Sequence, residues 1–419
     1  MARKPFGPSR RSGRRLICVA AGLAVTLTLG WPGTASGQAA GDHAKWMVDA
    51  AHTGVNPYET VLGTGNVGRL RMRWSRELFT GSGTPVVAGA TVYLGADGTN
   101  GHRWVYALDA ATGATRWTAD TGAVFEPQHL ALSGGRLIVP TVGNTDGQLL
   151  ALDPASGRRL WTSPLTPGVR TDWSYAPNVA GGRIYLGGGN SRIYSIDAAT
   201  GRVVWRSFLS GVGSGWGPPA VVGNRVYASD GGAIWAKDVT NGVNRWIANG
   251  RSGNRTSPPS VGGGRLFTVN DEGFVNAHAA AGRGELRCKA LWTVQVPGDP
   301  MWRSTPAVGK TTIFVGGDNR LDALDAATGK RRWAGIVDEY NGALSSPTIA
   351  HGIIYVGSRG NRLHAFASAG CGASTCRPLW TVQFKPGSDI EQVDYPPAVS
   401  RGAVYAAGSV SQVARFSLP

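Results

Sequence analysis

The chain has 419 residues, 42% of them hydrophobic, 16% charged and 62 of them glycine, which excludes a disordered polymer and exceeds what one compact core usually holds unless repeats share the load. The formal net charge is +16, but Arg3, Lys4, Arg10, Arg11, Arg14 and Arg15 crowd the first fifteen positions. The remaining basic residues are scattered and not interleaved with aromatics, so no nucleic-acid partner is expected.

The first segment reads as an export signal over residues 1–40. A basic stretch ends at Arg15, an apolar run follows from Leu16 to Leu29, and small residues cluster around Ala35-Ser36-Gly37-Gln38-Ala39-Ala40, placing cleavage near 37–40. The apolar run is too short and wrongly flanked for a membrane span, so the mature chain is expected to have none. Two arginine pairs leave the twin-arginine route open beside the general one. Arg15-Leu16-Ile17-Cys18 lacks the small residue that a lipid-anchored cysteine needs before it. The expected location is secreted, and the expected state is monomeric.

Residues 41–69 read as an N-terminal arm holding Trp46, His52-Thr53-Gly54 and Asn56-Pro57-Tyr58-Glu59. From residue 70 onward the chain repeats. Ala107 to Trp117 reads A-L-D-A-A-T-G-A-T-R-W, and the frame returns at Ala151–Trp161, Ser195–Trp205, Ala236–Trp246 and Ala323–Trp333. An Asp that accepts backbone N–H bonds and a Gly suited to positive φ make this a β-hairpin. Its Trp needs a neighbouring unit to cover it. Degenerate copies run from Ala277 to Trp292 and from Ala365 to Trp380. Each unit also carries a strand that begins with Pro and reaches an aromatic eight residues on, as from Pro85 to Tyr93 or Pro219 to Tyr227.

The closing tryptophans Trp74, Trp117, Trp161, Trp205, Trp246, Trp292, Trp333 and Trp380 stand 41 to 47 residues apart. Four short strands per unit over eight units predict an all-β fold, an eight-bladed β-propeller of four-stranded antiparallel blades spanning 70–419. Leu70–Trp74 looks like the last strand of a unit whose beginning is missing. The C-terminal stretch from Pro397 to Phe416 looks like its complement, so pairing the two closes the ring and removes an exposed edge.

The A-x-D-x-x-T-G-x-x-x-W frame resembles the tryptophan-docking repeat of the pyrroloquinoline-quinone (PQQ) propeller superfamily, over nearly all of the chain after the leader. That resemblance implies the propeller and leaves two kinds of function open: quinoprotein dehydrogenases and BamB-type assembly proteins. Quinoprotein alcohol dehydrogenases are longer, and the resemblance implies for them an adjacent-cysteine disulfide and a calcium set beside the cofactor. This chain has no Cys-Cys pair, and calcium ligands do not map onto it, so no cofactor is expected and PQQ with calcium is the alternative. In length and blade count the chain resembles BamB, without its lipidation site.

Cys371 and Cys376 bracket a short loop four residues before Trp380, and in an exported protein they are expected to form a disulfide. Cys288 also stands four residues before a Trp, with Arg283 where the partner would be. It is either the surviving half of a degenerate copy or a plain buried cysteine. Gly63 to Gly68 spells G-x-G-x-x-G, but no strand–turn–helix unit surrounds it, and the seven histidines have no metal spacing. Asp97-Gly98-Thr99-Asn100 and Asn144-Thr145-Asp146-Gly147 read as turns. No catalytic or metal residue is expected.

The candidate ligand residues precede the innermost strands, where loops ring a propeller's funnel: Glu126, Asp172, Trp173, Trp216, Arg255, Trp302, Arg303, Asp394 and Tyr395. They lie outside the repeat frame, so packing between blades does not explain them. Aromatic faces mixed with carboxylates and arginines either plug the funnel or hold a planar anion or a sugar. The expected function is therefore a non-enzymatic binding scaffold for a protein or a cell-envelope polysaccharide. The alternatives are a PQQ-dependent oxidoreductase of an alcohol or sugar, and a carbohydrate-binding propeller.

Overall fold

The computed structural model describes residues 42–78, 83–97, 102–122, 129–141, 147–166, 176–188, 191–209, 217–230, 232–249, 256–297, 304–337, 344–359, 362–383, 393, 395–408 and 412–419. Residues 35–419 form one compact unit built of eight sheets. Blade 1 has the strands Val86–Ala88, Thr91–Asp97, Arg103–Asp109 and Thr115–Asp120, each antiparallel to the next from the axis outward. Blades 2 to 7 repeat that order along the chain. Blade 8 takes Ala398–Ser400, Ala403–Ala407 and Gln412–Ser417 from the C-terminal end and Arg71–Glu77 as its outer strand. Arg71 pairs with Ser417 and Glu77 with Gln412, so the ring closes as the sequence predicts.

The frame works by three local devices. Its Ala and Trp are direct cross-strand partners: Ala107 with Trp117, Ala151 with Trp161, Ser195 with Trp205, Ala236 with Trp246 and Ala323 with Trp333. The degenerate copies keep the pairing, as Ala277 with Trp292 and Ala365 with Trp380. The Asp then holds the turn. Asp109 Oδ1 accepts from the amides of Ala111 (3.0 Å) and Thr112 (2.9 Å) and from the Thr112 hydroxyl (3.0 Å), while Arg116 donates to Oδ2 at 2.7 Å. The guanidinium, with the Thr112 donors, pulls that carboxyl down to about 2. Finally the Gly adopts φ between +72° and +74° in all five intact frames.

That glycine is also where the next blade's packing begins. A Cβ on Gly113 would stand 2.8 Å from the Trp74 indole, and one on Gly157 would stand 2.7 Å from Trp117. The same contact recurs from Trp161 to Gly201, Trp205 to Gly242, Trp246 to Gly282, Trp292 to Gly329 and Trp333 to Gly370. In five of these contacts the indole N–H donates to a carbonyl of the same turn, as Trp74 does to Ala110 (3.1 Å) and Trp205 to Val239 (3.0 Å), whereas Trp161 Nε1 has no partner. The apolar clusters lie where the faces of successive blades meet.

One sequence reading is corrected. The interval from Pro to aromatic is a two-strand hairpin, not one strand. Pro85 precedes Val86–Ala88, the chain turns at Gly89-Ala90, and Tyr93 lies mid-way along Thr91–Asp97, paired with Val86. Proline fits just before the innermost strand, where its missing N–H breaks no ladder.

Candidate functional site

The innermost strands turn backbone N–H and carbonyl groups toward the axis, and eight such edges would need partners. The arm supplies them in blade order. His43 bridges Val87 of blade 1 by two bonds of 2.9 Å, and the Ala44 carbonyl accepts from Leu132 of blade 2 at 2.8 Å. Lys45 Nζ donates to the Val179 carbonyl of blade 3 at 2.7 Å. Ala50, Ala51, Thr53 and Gly54 then accept from Val221, Val261, Val308 and Ile349 of blades 4 to 7, at 2.6 to 2.8 Å. Asn56 Nδ2 reaches the Val399 carbonyl of blade 8 at 2.7 Å. Residues 43–56 thus make one circuit of the central channel and touch all eight blades. Curling a chain that tightly puts Met47, Val48 and His52 at φ of +54°, +68° and +58°, a strained region for side chains.

Sequence reasoning placed an arm here but missed its destination. The arm acts mostly through its own backbone carbonyls, which any residue supplies. The legible hints were its polar side chains Lys45, His52 and Asn56.

The arm carries most of the axial chemistry. His52 is fully engaged: Nδ1 donates to the Pro259 carbonyl (3.1 Å), and Nε2 accepts from Asn178 Nδ2 (3.1 Å). Trp46 meets the His52 ring edge-on at 4.9 Å and His129 at 6.4 Å. Burial drives the imidazole of His52 down to about 3 and those of His43 and His129 to about 4, so all three are neutral near pH 7. The Lys45 ammonium falls to about 8 for the same reason, while burial raises Asp49, which accepts from the Thr53 amide and hydroxyl.

Of the predicted funnel residues, Tyr395 is described. It is half-buried and meets His129 edge-on, ring centres 5.3 Å apart, which brings it into the Trp46 cluster. Glu126, Asp172, Trp173, Trp216, Arg255, Trp302, Arg303 and Asp394 lie outside the described residues. Cys371 and Cys376 are bonded, and Cys288 is free and buried, as expected. The disulfide sits on the outer turn of blade 7, where Thr375-Cys376 pairs with Ala334-Gly335 of blade 6. Among the described residues no group of three or more His, Cys, Asp or Glu side chains is placed to hold a metal ion. A second feature opens beside the arm: a cavity of about 1600 Å³, walled by Lys45, Asp49, Tyr58, Lys310, Arg332 and the disulfide loop. No helix among the described residues is long and apolar enough to cross a membrane.

Residues 101–288 and 285–418 match the protein family described as outer membrane protein assembly factor BamB. The chain belongs to this PQQ-like propeller family. BamB of Burkholderia pseudomallei is 28% identical over 57% of this chain and 62% of its own length. The dehydrogenase subunit of a quinone alcohol dehydrogenase from Komagataeibacter europaeus is 30% identical over 49% of this chain, a stretch that is 32% of that subunit. The chain thus spans about a third of the dehydrogenase subunits it matches and about three fifths of that BamB. Quinohemoprotein alcohol dehydrogenase from Comamonas testosteroni superposes with a TM-score of 0.72 at 18% identity, covering 92% of this chain and 81% of that one, a likeness of fold. Family membership therefore fixes the propeller and embraces both a scaffold and an enzyme.

Proposed function

We propose that this BamB-type propeller is an exported, non-enzymatic scaffold that binds a protein or a cell-envelope polysaccharide, and that its indole–glycine contacts are the family's tryptophan docking. The observation that carries the reading is the cavity of about 1600 Å³ between the arm and the turns of blades 6 and 7. It is large enough for a loop of another chain or several sugar rings, and its walls mix cations, a carboxylate and an aromatic. The axial histidines support the same reading. Titrating near 3 to 4, they are poorly matched to proton transfer at neutral pH.

A photo-crosslinker at Lys310, on the cavity wall, should trap an envelope protein or polysaccharide in the native host, and the same probe at exposed Val243 should not. The relatives named as quinone alcohol dehydrogenases favour a second reading, a PQQ-dependent oxidoreductase of an alcohol or sugar. Purified protein mixed with PQQ and Ca²⁺ tests it. A shifted cofactor spectrum together with dye reduction would overturn the scaffold reading; an unchanged spectrum and no dye reduction sustain it.

A further inference from the structure

The second and third strands of each blade present a matched pair of positions to the preceding blade. One lies on the third strand: Leu108, Leu152, Ile196, Lys237, His278, Leu324, Phe366 and Phe416 in blades 1 to 8. The other lies two residues along the second strand: Leu94, Val139, Leu186, Ala228, Thr268, Val315, Val356 and Ala406. Seven of the eight residues at the second position are apolar, and blade 5 alone is polar at both.

Several polar side chains that enter these faces find partners in the fold, while Gln412 Oε1 of blade 8 is buried without one. Lys237 donates to Ser207 Oγ, the Phe208 carbonyl and Asn244 Oδ1 at 2.6 to 2.9 Å. Asp322 of blade 6 accepts Arg320 Nε at 2.9 Å on both oxygens, and His364 of blade 7 is bonded at both ring nitrogens, to Ser358 and Thr381, at 3.0 Å. Blade 5 differs in leaving both of its matched positions without a partner. His278 Nδ1 and Thr268 Oγ1 are buried with no hydrogen-bond partner, although His278 is 5% exposed and Thr268 0%. Each such group costs about 1–3 kcal/mol if nothing satisfies it.

Both residues line a cavity of about 620 Å³ between blades 4 and 5. Phe274 gives it an apolar wall, Asn276 a polar one, and Cys288 lines it where the outer turn of blade 5 reaches back to Ile247 of blade 4. We propose that this cavity is a binding site for a neutral, polyhydroxylated molecule of monosaccharide size. The unpartnered groups decide the class. A threonine hydroxyl and a neutral imidazole each donate and accept, as a sugar hydroxyl does, whereas a carboxylate only accepts. Burial keeps His278 uncharged, with a pKa of about 4, so the two unpartnered groups are themselves neutral; the fixed charges that line the cavity, Glu285, Arg287 and Lys289, belong to exposed residues of the outer turn. The site stands apart from the arm-side cavity, and its test does not depend on the scaffold reading.

Two substitutions probe it without threatening the fold, because each installs a residue the other blades carry there: Thr268→Val and His278→Leu. The full-length protein is titrated calorimetrically with glucose, galactose, mannose, N-acetylglucosamine and myo-inositol, and separately with glucuronate. At least one neutral compound should bind at concentrations up to about 10 mM. Each substitution should weaken that binding at least about tenfold, and the unliganded variants should melt no lower than the parent. The bound sugar should also slow alkylation of Cys288, followed on its own peptide by mass spectrometry. Failure of every neutral compound to bind, binding unchanged in both variants, or binding of glucuronate alone with proton uptake would each overturn the proposal.

Discussion

The outer turns of blades 5 and 7 are two versions of one device. Both outgrow the eleven-residue frame, and both place a glycine, Gly282 or Gly370, against the previous blade's indole. Both then reach back to that blade's outer strand. Ile247 N donates to the Leu286 carbonyl (2.7 Å) in one, and Ala334 N to the Ser374 carbonyl (2.9 Å) in the other. Both return through the same bond, Leu291 or Leu379 N to the frame alanine's carbonyl at 2.7 Å. The difference is covalent: blade 7 closes its turn with Cys371–Cys376, whereas blade 5 has Arg283 and a lone buried Cys288. Equal backbone paths with and without the bond mean that the indole contact and the strand bridge position the turn, and that the disulfide reinforces a turn already placed.

The strongest way to break that conclusion is at the shared glycines. Gly282→Val and Gly370→Val each put a β-branched residue at φ of +76° or +80°, with a Cβ 2.6 or 2.7 Å from an indole atom. Strain and overpacking together should cost about 3–5 kcal/mol in either blade, measured by urea unfolding. A loss confined to blade 5 would mean that the disulfide, not the contact, holds the turn of blade 7.

Acid separates the two blades next. The folded-state pKa of His278, about 4, lies below its ordinary 6.5. Its neutral form is favoured in the fold, so its share of stability is full above pH 6.5 and is lost as pH falls toward 4. The loss is about 1.4 kcal/mol per pH unit and about 3 kcal/mol in all. His43, His52 and His129 on the axis add losses of the same sign. Unfolding free energies from pH 7.5 to 4.5 should therefore slope downward, and His278→Leu should remove one histidine's portion. An unaltered slope would show that His278 already titrates as it would in water.

How far the sequence carried differs between these regions for a physical reason. The frame was legible because each of its parts is a side-chain requirement: Asp caps the turn, Gly takes positive φ, and Trp needs a neighbour. The ring closure followed from Leu70–Trp74 lacking the rest of its own blade. The circuit of the arm was not legible, since Ala44, Ala50, Ala51 and Gly54 act through their carbonyls. The polar pair Thr268 and His278 was within reach, because stacking the eight units column by column exposes it. Reading each copy for its frame residues alone passed over it. Among the funnel residues, the placement of Tyr395 beside His129 joins the sequence reading to the axis through a single contact.

A smaller effect is expected from the covalent difference itself. Closing a loop this short should stabilise the fold by about 2 kcal/mol through the unfolded chain. Dithiothreitol or Cys371→Ser should therefore lower the melting temperature by similar amounts, and reductant should do nothing further to the variant. A large additional loss with reductant would point to a second redox-sensitive bond.

The smallest effect comes from completing blade 5. Cys288 occupies the place of Cys376, five residues after Arg283, and the two turns share the same backbone bonds on either side. Arg283→Cys should then form a disulfide spontaneously in air, recorded as loss of the free thiol of Cys288. The gain should be at most about 1–2 kcal/mol, because the strand bridge already restricts the turn and engineered bonds deliver less than the loop-entropy value. Formation without any gain would still support the shared path, since the bond requires the two Cα atoms to lie within reach. Failure to form would show that the turn of blade 5 diverged in conformation when it lost its partner cysteine, and the correspondence between the two turns would then stop at Leu286 and Leu291.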